Sequence, residues 1–343
     1  MDAPDPAEVA AGLRRIANRL ELDPERRHQA RAFARASRTV KALSVADLLT
    51  HAERGTFTDL PGVGKTIAEV IAELVRGEEP SYVALLPEVI EREKLLSEPA
   101  AAILRQLKGD CHVHSVWSDG GATIEEMAET AIALGHEYIV LTDHSPTLTI
   151  ARGLDARRLR EQLEVVRRLN ETLAPFRILT GIECDILADG TLDQEPELLA
   201  QLDFVVASVH SLLRQPSSEL TPRLLKAISD PNMDVLGHCT GRIVVGRGRP
   251  QSTFEAGPVF EACARHGVAV EINSRPERLD PPDDLMAIAL QAGCRFAIDS
   301  DAHAPGQLAW QDNGAEIAAR NGVDASLILN IQPADALLDS ISR

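Results

Sequence analysis

Seven short apolar runs, near residues 109–113, 138–142, 177–183, 203–209, 234–238, 268–272 and 295–299, alternate with helical segments such as Thr123–Leu134, Asp155–Leu173 and Phe254–Arg265. Neighbouring parallel strands cannot be joined by a tight turn and need a long crossover, which a helix supplies. The alternation therefore predicts a parallel sheet closed, or nearly closed, into an α/β barrel of seven strand-helix repeats. Such barrels carry their functional groups at the C-terminal ends of the strands and in the loops that follow. Six of the ten histidines, two aspartates and a glutamate stand there: His112 and His114 in DCHVHS, Asp119 in WSDGG, His144 in LTDHS, Glu183 in GIECD, His210 in ASVHS, His238 in LGHCT, and Asp301 with His303 in DSDAH. The run ending Val270-Glu271-Ile272-Asn273 supplies none of the nine, although Glu271 and Asn273 are polar at the same height.

Imidazole and carboxylate are the usual side-chain ligands of divalent zinc, manganese or iron, and nine exceed what one ion takes, so two or three ions are implied. A solitary strand histidine is as readily a core residue as a ligand; recurrence at one structural level favours ligation here. His112 and His114 are two apart on a strand and face the same way, with Val113 on the other side. His28, His51, His136 and His266 fall in the helical region or between a helix and the next strand, and read as structural. Cys111, Cys184 and Cys239 each adjoin a proposed ligand, and strand alternation turns them away from it. Trp117, between ligands, is placed either to stack on a base or to pack over the mouth.

Ahead of the barrel, residues 6–95 read as helical, with Val9, Leu13, Ile16 and Leu20 forming an apolar stripe and Ser44 able to cap a short helix. Arg27, Arg31, Arg35 and Arg38 recur on one helix face, either as a phosphate-tracking stripe or as an ordinary solvated face. In TDLPGVGKTIAEVIAELVRG, Pro61, Gly62 and Gly64 make a tight turn, followed by Lys65 and a helix whose first N–H groups point outward. A P-loop would need glycine where Asp59 stands and a strand before it, so that reading fails. Two readings stay open: a helix-hairpin-helix whose turn binds one nucleic-acid phosphate, or a helix-turn-helix connection with no ligand.

A net charge of −17 argues against broad attraction to nucleic acid, so any DNA contact is local. Residues 14–41 are where it would sit, with nine Arg or Lys against three Asp or Glu. Five cysteines without a C-x-x-C pair fit a reduced, cytoplasmic compartment. Neither a signal-like opening nor an uncharged apolar stretch of membrane-spanning length is present, so no membrane association is expected.

The strings DCHVHSVWSDGGATIEEMAETAIALGHEYIVLTDHS, GIECDILADGTLD, LDFVVASVHS, LGHCTGR, VEINSRPERLD and AIDSDAH resemble the polymerase and histidinol phosphatase (PHP) domain. The version they resemble most is the one at the C-terminus of bacterial family X DNA polymerases. Residues 6–90 look like the helix-hairpin-helix domain that opens the same polymerases, while the polymerase palm expected between the two is missing. The resemblance implies a distorted (β/α)7 barrel preceded by a small all-α domain, divided as 1–95, a linker 96–107, and a phosphoesterase domain 108–343. It further implies three ions: one on His112, His114, Glu183 and Asp301; one on a bridging Glu183 with His210 and His238; one on Asp119, His144 and His303. Glu183, Arg242 and Arg275 are the expected catalytic groups; the two arginines, just beyond strand ends, read either as phosphate clamps or as ordinary loop ion pairs. Gly62, Gly64, Lys65, Arg31 and Arg35 are the expected contacts to DNA. The helix position that carries the lyase lysine in eukaryotic repair polymerases of this family is Val70 here, which puts Schiff-base chemistry in doubt. The expected function is a metal-dependent phosphoesterase acting on DNA ends or lesions, without polymerase activity. Its rivals are a small-metabolite phosphatase, of histidinol-phosphate or mononucleotide type, and a non-catalytic DNA-binding adaptor.

Overall fold

The computed structural model describes residues 5–85 and 96–341. The chain divides into two compact units, Met1–Lys94 and Leu95–Arg343, each with its own core. Residues 86–95, the end of the stretch read above as helical, lie outside the described residues. Among those described, no helix is long and apolar enough to cross a membrane.

The first unit is built from α1 (Pro6–Glu21), α2 (Arg27–Lys41), α3 (Val45–Arg54) and α4 (Lys65–Val75). Local signals set the boundaries. The Asp5 carboxylate accepts from Ala7 N at 2.8 Å with Pro6 opening α1, and Ser44 Oγ accepts from Asp47 N at 3.1 Å to open α3. Leu13, Ile16 and Leu20 pack against Ala30, Phe33 and Val40 of α2 and against Val70 and Ile71 of α4. That burial leaves Arg31, Arg35 and Arg38 exposed on the other face of α2. Val70 is fully enclosed, so its position belongs to the core.

In the second unit β1 (Gly109–Val113), β2 (Tyr138–Leu141), β3 (Arg177–Asp185), β4 (Phe204–Ser208), β5 (Val235–Leu236), β6 (Ala269–Asn273) and β7 (Phe296–Asp299) form one parallel sheet in chain order. Helices α6 (Ile124–Ala133), α7 (Ala156–Leu173), α8 (Pro196–Leu199), α9 (Ser217–Ile228), α10 (Ala256–His266) and α11 (Asp283–Gln291) make the crossovers. The barrel is nearly closed. Between β1 and β7 there is a single bridge, Val113 to Ala302, supported by Cys111 N donating to Asp299 at 2.8 Å and Ser300 N to Asp110 at 3.3 Å. The stretch 96–107, expected as a linker, contains helix α5 (Glu98–Leu104), whose Ala100 and Ile103 are buried in the core of the barrel unit.

Alternation along the strands sorts the side chains. Ile139, Ile178, Val205, Leu236, Val270 and Ile298 pack outward into the helical layer, while Val140, Leu179, Val206, Val235, Ala269 and Ala297 form a separate inner cluster with Leu329 and Leu337. Towards the C-terminal ends the inward rows change from apolar to polar. Leu179, Gly181 and Glu183 form one such row, and Ala269 and Glu271 another. Gly181 is needed where it stands, since a Cβ there would lie 2.7 Å from Val140 Cγ1 and 2.8 Å from Phe204 O. The floor of the mouth is therefore a hydrophobic plug, and its lining is ionisable.

Candidate metal centre

Glu183 occupies the middle of the mouth, buried, with five histidines around its two oxygens. Oε1 lies 3.2 Å from His210 Nε2 and 2.9 Å from His238 Nε2. Oε2 lies 3.3 Å from His112 Nε2, 3.5 Å from His114 Nε2 and 2.8 Å from His144 Nδ1. Asp301 Oδ1 is 3.4 Å from His114 Nε2 and 4.0 Å from His112 Nε2. At the rim, the half-exposed Asp119 lies 3.5 Å from His144 Nε2 and 3.4 Å from His303 Nε2. All nine sequence-predicted side chains thus converge. Their closest groupings are His112, His114 and Asp301; His144, Glu183 and His210; and His114, Asp119, His144 and His303. His114 and His144 each fall into two of these, whereas the expected sets shared only Glu183. Two members, His238 and Asp301, adopt positive φ of 20° and 52°, a backbone cost that packing must offset.

Whether these residues fit metal can be asked of their own hydrogen bonds. His112 Nε2, both ring nitrogens of His114, His144 Nδ1, Glu183 Oε2, His210 Nδ1 and His238 Nδ1 are buried and have no hydrogen-bond partner. A native interior rarely leaves so many polar atoms unsatisfied in one place. Four of them, His112 Nε2, His114 Nε2, His144 Nδ1 and Glu183 Oε2, are gathered with the nitrogens 2.8–3.5 Å from the oxygen, which is how ligands of a cation are disposed. Charge agrees. Burial would raise the Glu183 carboxyl, but His210, His112 and His144 hold it well below the ordinary range; burial of Asp301 is likewise outweighed by Arg275 and His114. Burial and the neighbouring His303 and His144 keep His114 neutral, as a ligand must be. At His210 burial is outweighed by Glu183 and Asp185, and the ring is raised to about 9; His112 rises for the same kind of reason, through Glu271 and Glu183. Protons drawn onto those two rings are the charge a divalent ion would replace. The residues fit.

Outside the nine, several side chains fix the cluster, and sequence reasoning gave them no role. Glu271 Oε1 accepts from His112 Nδ1 at 2.6 Å and Oε2 from His238 N at 2.5 Å, so one carboxylate sets the tautomer of one histidine and the backbone of another. Asp185 Oδ1 accepts from His210 N at 3.0 Å, and Asp143 ties the loop after β1 to that after β2 by accepting from Ser115 and Ser118. The alternation of strand-end polar residues was the available signal for Glu271; no local pattern names its partner 159 residues away. Arg278 Nε donates to Asp301 Oδ2 at 3.1 Å, with Nη1 buried and unpartnered.

The two arginines expected as clamps differ. Arg275 Nη1 lies 3.4 Å from Asp301 Oδ1 and 3.1 Å from His303 Nδ1, at the edge of the cluster. Arg242 instead donates to the carbonyls of Arg278 and Leu279, so its fork supports the loop after β6. The five cysteines are buried and reduced, and Cys111, Cys184 and Cys239 are held protonated by burial, outside the groupings. His136 is likewise apart, with burial lowering it to about 4. Trp117 is half-buried against the core.

In the helical unit, Gly62 has φ 78°, and Gly64, the N-cap of α4, provides no side-chain cap. Both glycines and Lys65 are exposed, and a Cβ at either glycine would meet nothing within 4 Å. Thr39 Oγ1 of α2 donates to Pro61 O at 3.3 Å, which sets the arginine-bearing helix beside the turn. Among the described residues, Arg31 and Arg35 form no ion pair or hydrogen bond.

Known proteins resemble the two units separately. The family described as the PHP domain matches residues 110–275, and that described as the helix-hairpin-helix domain matches residues 4–80. The DNA polymerase/3'-5' exonuclease PolX of Bacillus subtilis is 39% identical over 227 residues, covering 66% of this chain and 40% of the polymerase. The chain thus aligns with two fifths of that relative's length. All seven strands among the described residues belong to the barrel, leaving no sheet for a polymerase palm. A probable phosphatase of Vibrio atlanticus is 30% identical over 250 residues, 69% of this chain and 95% of that protein. The crystal structure of a histidinol phosphate phosphatase from Lactococcus lactis, at 20% identity and a TM-score of 0.47, covers 63% of this chain and 94% of its own. A seven-stranded barrel that matches the PHP domain over residues 110–275, gathers nine metal-type side chains at its mouth and aligns with 95% of the probable phosphatase of Vibrio atlanticus belongs to the PHP family of metal-dependent phosphoesterases.

Proposed function

We propose that the phosphoester cleaved is in DNA, at an end or a lesion, in the manner of a 3′-5′ exonuclease, 3′-phosphatase or abasic-site nuclease. The observation that carries this reading is the helical unit. An exposed glycine turn with an uncapped helix N-terminus, in a unit whose α2 also exposes the unpaired Arg31 and Arg35, suits a nucleic-acid backbone and has no task in turning over a small metabolite.

In this reading His112, His114, Glu183 and Asp301 hold one ion, Glu183 with His210 and His238 a second, and Asp119, His144 and His303 a third, the metals being manganese, zinc or iron. When bound, such ions supply Lewis acidity, activating a water at neutral pH and neutralising charge on the phosphate oxygens. Glu183 keeps two positions apart, because Oε1 faces His210 and His238 while Oε2 faces His112, His114 and His144. Glu271 holds His112 with Nε2 towards the centre. Arg275, beside Asp301 and His303, meets a phosphoryl oxygen at the edge.

The deciding experiment sets 3′-phosphate DNA, single-stranded DNA, abasic duplex and histidinol phosphate side by side with manganese-supplemented enzyme. Turnover of one or more DNA substrates is expected. Turnover of histidinol phosphate alone would favour the metabolite rival, which the probable-phosphatase relatives support.

A further inference from the structure

Six arginines, Arg214, Arg242, Arg247, Arg249, Arg275 and Arg278, lie in the loops after β4, β5 and β6 (209–216, 237–255 and 274–282), against Glu255, Glu277 and Asp280. The loops after β2 and β3 (142–155 and 186–195) carry Arg152 against five carboxylates. In a chain of net charge −17, the loops after β4, β5 and β6 are therefore a local basic region, which those after β2 and β3 are not.

The three basic loops are tied into one surface. Ser252 Oγ donates to Leu213 O at 2.7 Å, joining the loops after β4 and β5. Val244 N donates to Glu277 O at 2.8 Å, and the Arg242 fork holds the carbonyls of Arg278 and Leu279, joining the loops after β5 and β6. Ile243 and Arg249 pair as a short antiparallel bridge that presents Val244, Val245 and Arg247 at its tip. On this surface Leu212, Val244 and Val245 are 58%, 50% and 43% exposed, among the few large apolar side chains open to solvent. Arg214 and Arg247 are exposed and form no hydrogen bond or ion pair among the described residues. The same loops begin with His210 and His238 and reach Asp301 through Arg275 and Arg278.

We propose that the linked loops after β4, β5 and β6 form a shelf that binds single-stranded nucleic acid and leads it to the metal centre. This rests on the reading of the centre as one that cleaves DNA. Charge complementarity selects a polyanion: Arg214 and Arg247 are exposed and free on these loops, and Arg275 with Arg278 stand beside Asp301 at the cluster. Exposed apolar tips beside those charges select a single strand. A duplex turns phosphates and groove edges outward, whereas an unpaired strand also offers base faces to Leu212, Val244 and Val245. The loops after β2 and β3, with one arginine among their carboxylates, offer phosphate no comparable surface.

The test uses full-length, manganese-loaded enzyme hydrolysing bis(4-nitrophenyl) phosphate, with phosphorothioate-linked oligo(dT) and a phosphorothioate duplex as inhibitors. The single strand should inhibit more tightly than the duplex. R214A/R247A should raise its inhibition constant about tenfold at low salt and lower the slope of log affinity against log salt by about 1.4, the share of two phosphates on a single strand. R214K/R247K should keep the slope, and V244S/V245S should weaken single-strand inhibition with the slope intact. An unchanged constant and slope in R214A/R247A would overturn the shelf. So would an enzyme that dimerises through Val244 and Val245 with oligonucleotide inhibition unaltered in V244S/V245S, which reassigns the surface to a second copy. Wild-type enzyme that neither cleaves DNA nor is inhibited by it would refute the DNA reading itself, a different outcome from a shelf variant that behaves as wild type.

Discussion

The mouth of the barrel and the glycine turn of the helical unit both suit phosphate, by opposite means. At the mouth the groups are side chains, buried and charged, each held by others: Glu183 alone approaches five histidines. At the turn the groups are backbone N–H at the start of α4, and the side chains are absent, since Gly62 and Gly64 leave the approach open. A centre made of interlocking side chains fails steeply when one is changed. A backbone grip is insensitive to most side-chain substitutions and is blocked only by bulk. Changes at the mouth should therefore act on metal content and kcat, and changes at the turn on KM for DNA.

The steepest test is Glu183→Gln. The amide keeps the volume but removes the charge that both sets of histidines face. Partners outside the ligand shell already cost about 10–100-fold when altered, so a shared ligand should cost more than about 100-fold in hydrolysis, with loss of at least one ion. Elemental analysis and turnover of a small phosphodiester check this together. Wild-type protein should carry two or three ions per chain, and full activity with one ion would break the cluster.

A smaller effect is expected at Glu271→Gln. The amide keeps one acceptor but places an NH2 against His112 Nδ1 or His238 N, where a donor meets a donor. Metal affinity should fall about 10–100-fold, and activity should recover at high manganese, because the ligands remain and only their orientation is weakened. Loss of activity that added manganese does not restore would place Glu271 nearer the reaction than its geometry implies.

How much of this was legible from sequence differs between the two regions for a physical reason. Strands and the nine converging side chains at the mouth were legible because each obeys a local rule: a short apolar run, then a polar residue at its end. Run 234–238 narrows to Val235–Leu236 because His238 leaves the ladder at positive φ, yet its place at the strand end was still visible. What sequence left dark depends on contacts between distant strands. Glu271 meeting His112, Arg242 turning to the carbonyls of Arg278 and Leu279, and His144 lying between two groupings have no local signature. At the turn the glycines and their spacing were legible. The contact of Thr39 with Pro61 that sets α2 beside it was not.

The smallest expected effect is at the turn, and the structure decides which substitution tests it cleanly. Gly62 has φ 78°, a conformation costly for valine, so Gly62→Val would mix backbone strain with blocked approach. Gly64 has φ −87° and ψ 173°, an extended conformation that valine favours, and a Cβ there meets nothing within 4 Å. Gly64→Val therefore adds bulk in front of the α4 N–H groups without disturbing the fold. If those groups hold a backbone phosphate, KM for DNA should rise about three- to tenfold, the loss of one or two phosphate contacts at moderate salt. Because the lost contact is equally present in ground and transition states, kcat for DNA should be unchanged, as should both constants for a small phosphodiester. R31A/R35A should act in the same direction. A Gly64→Val enzyme with wild-type KM for DNA and an unaltered melting temperature would show that the turn only connects two helices, leaving DNA to be bound by the barrel unit alone.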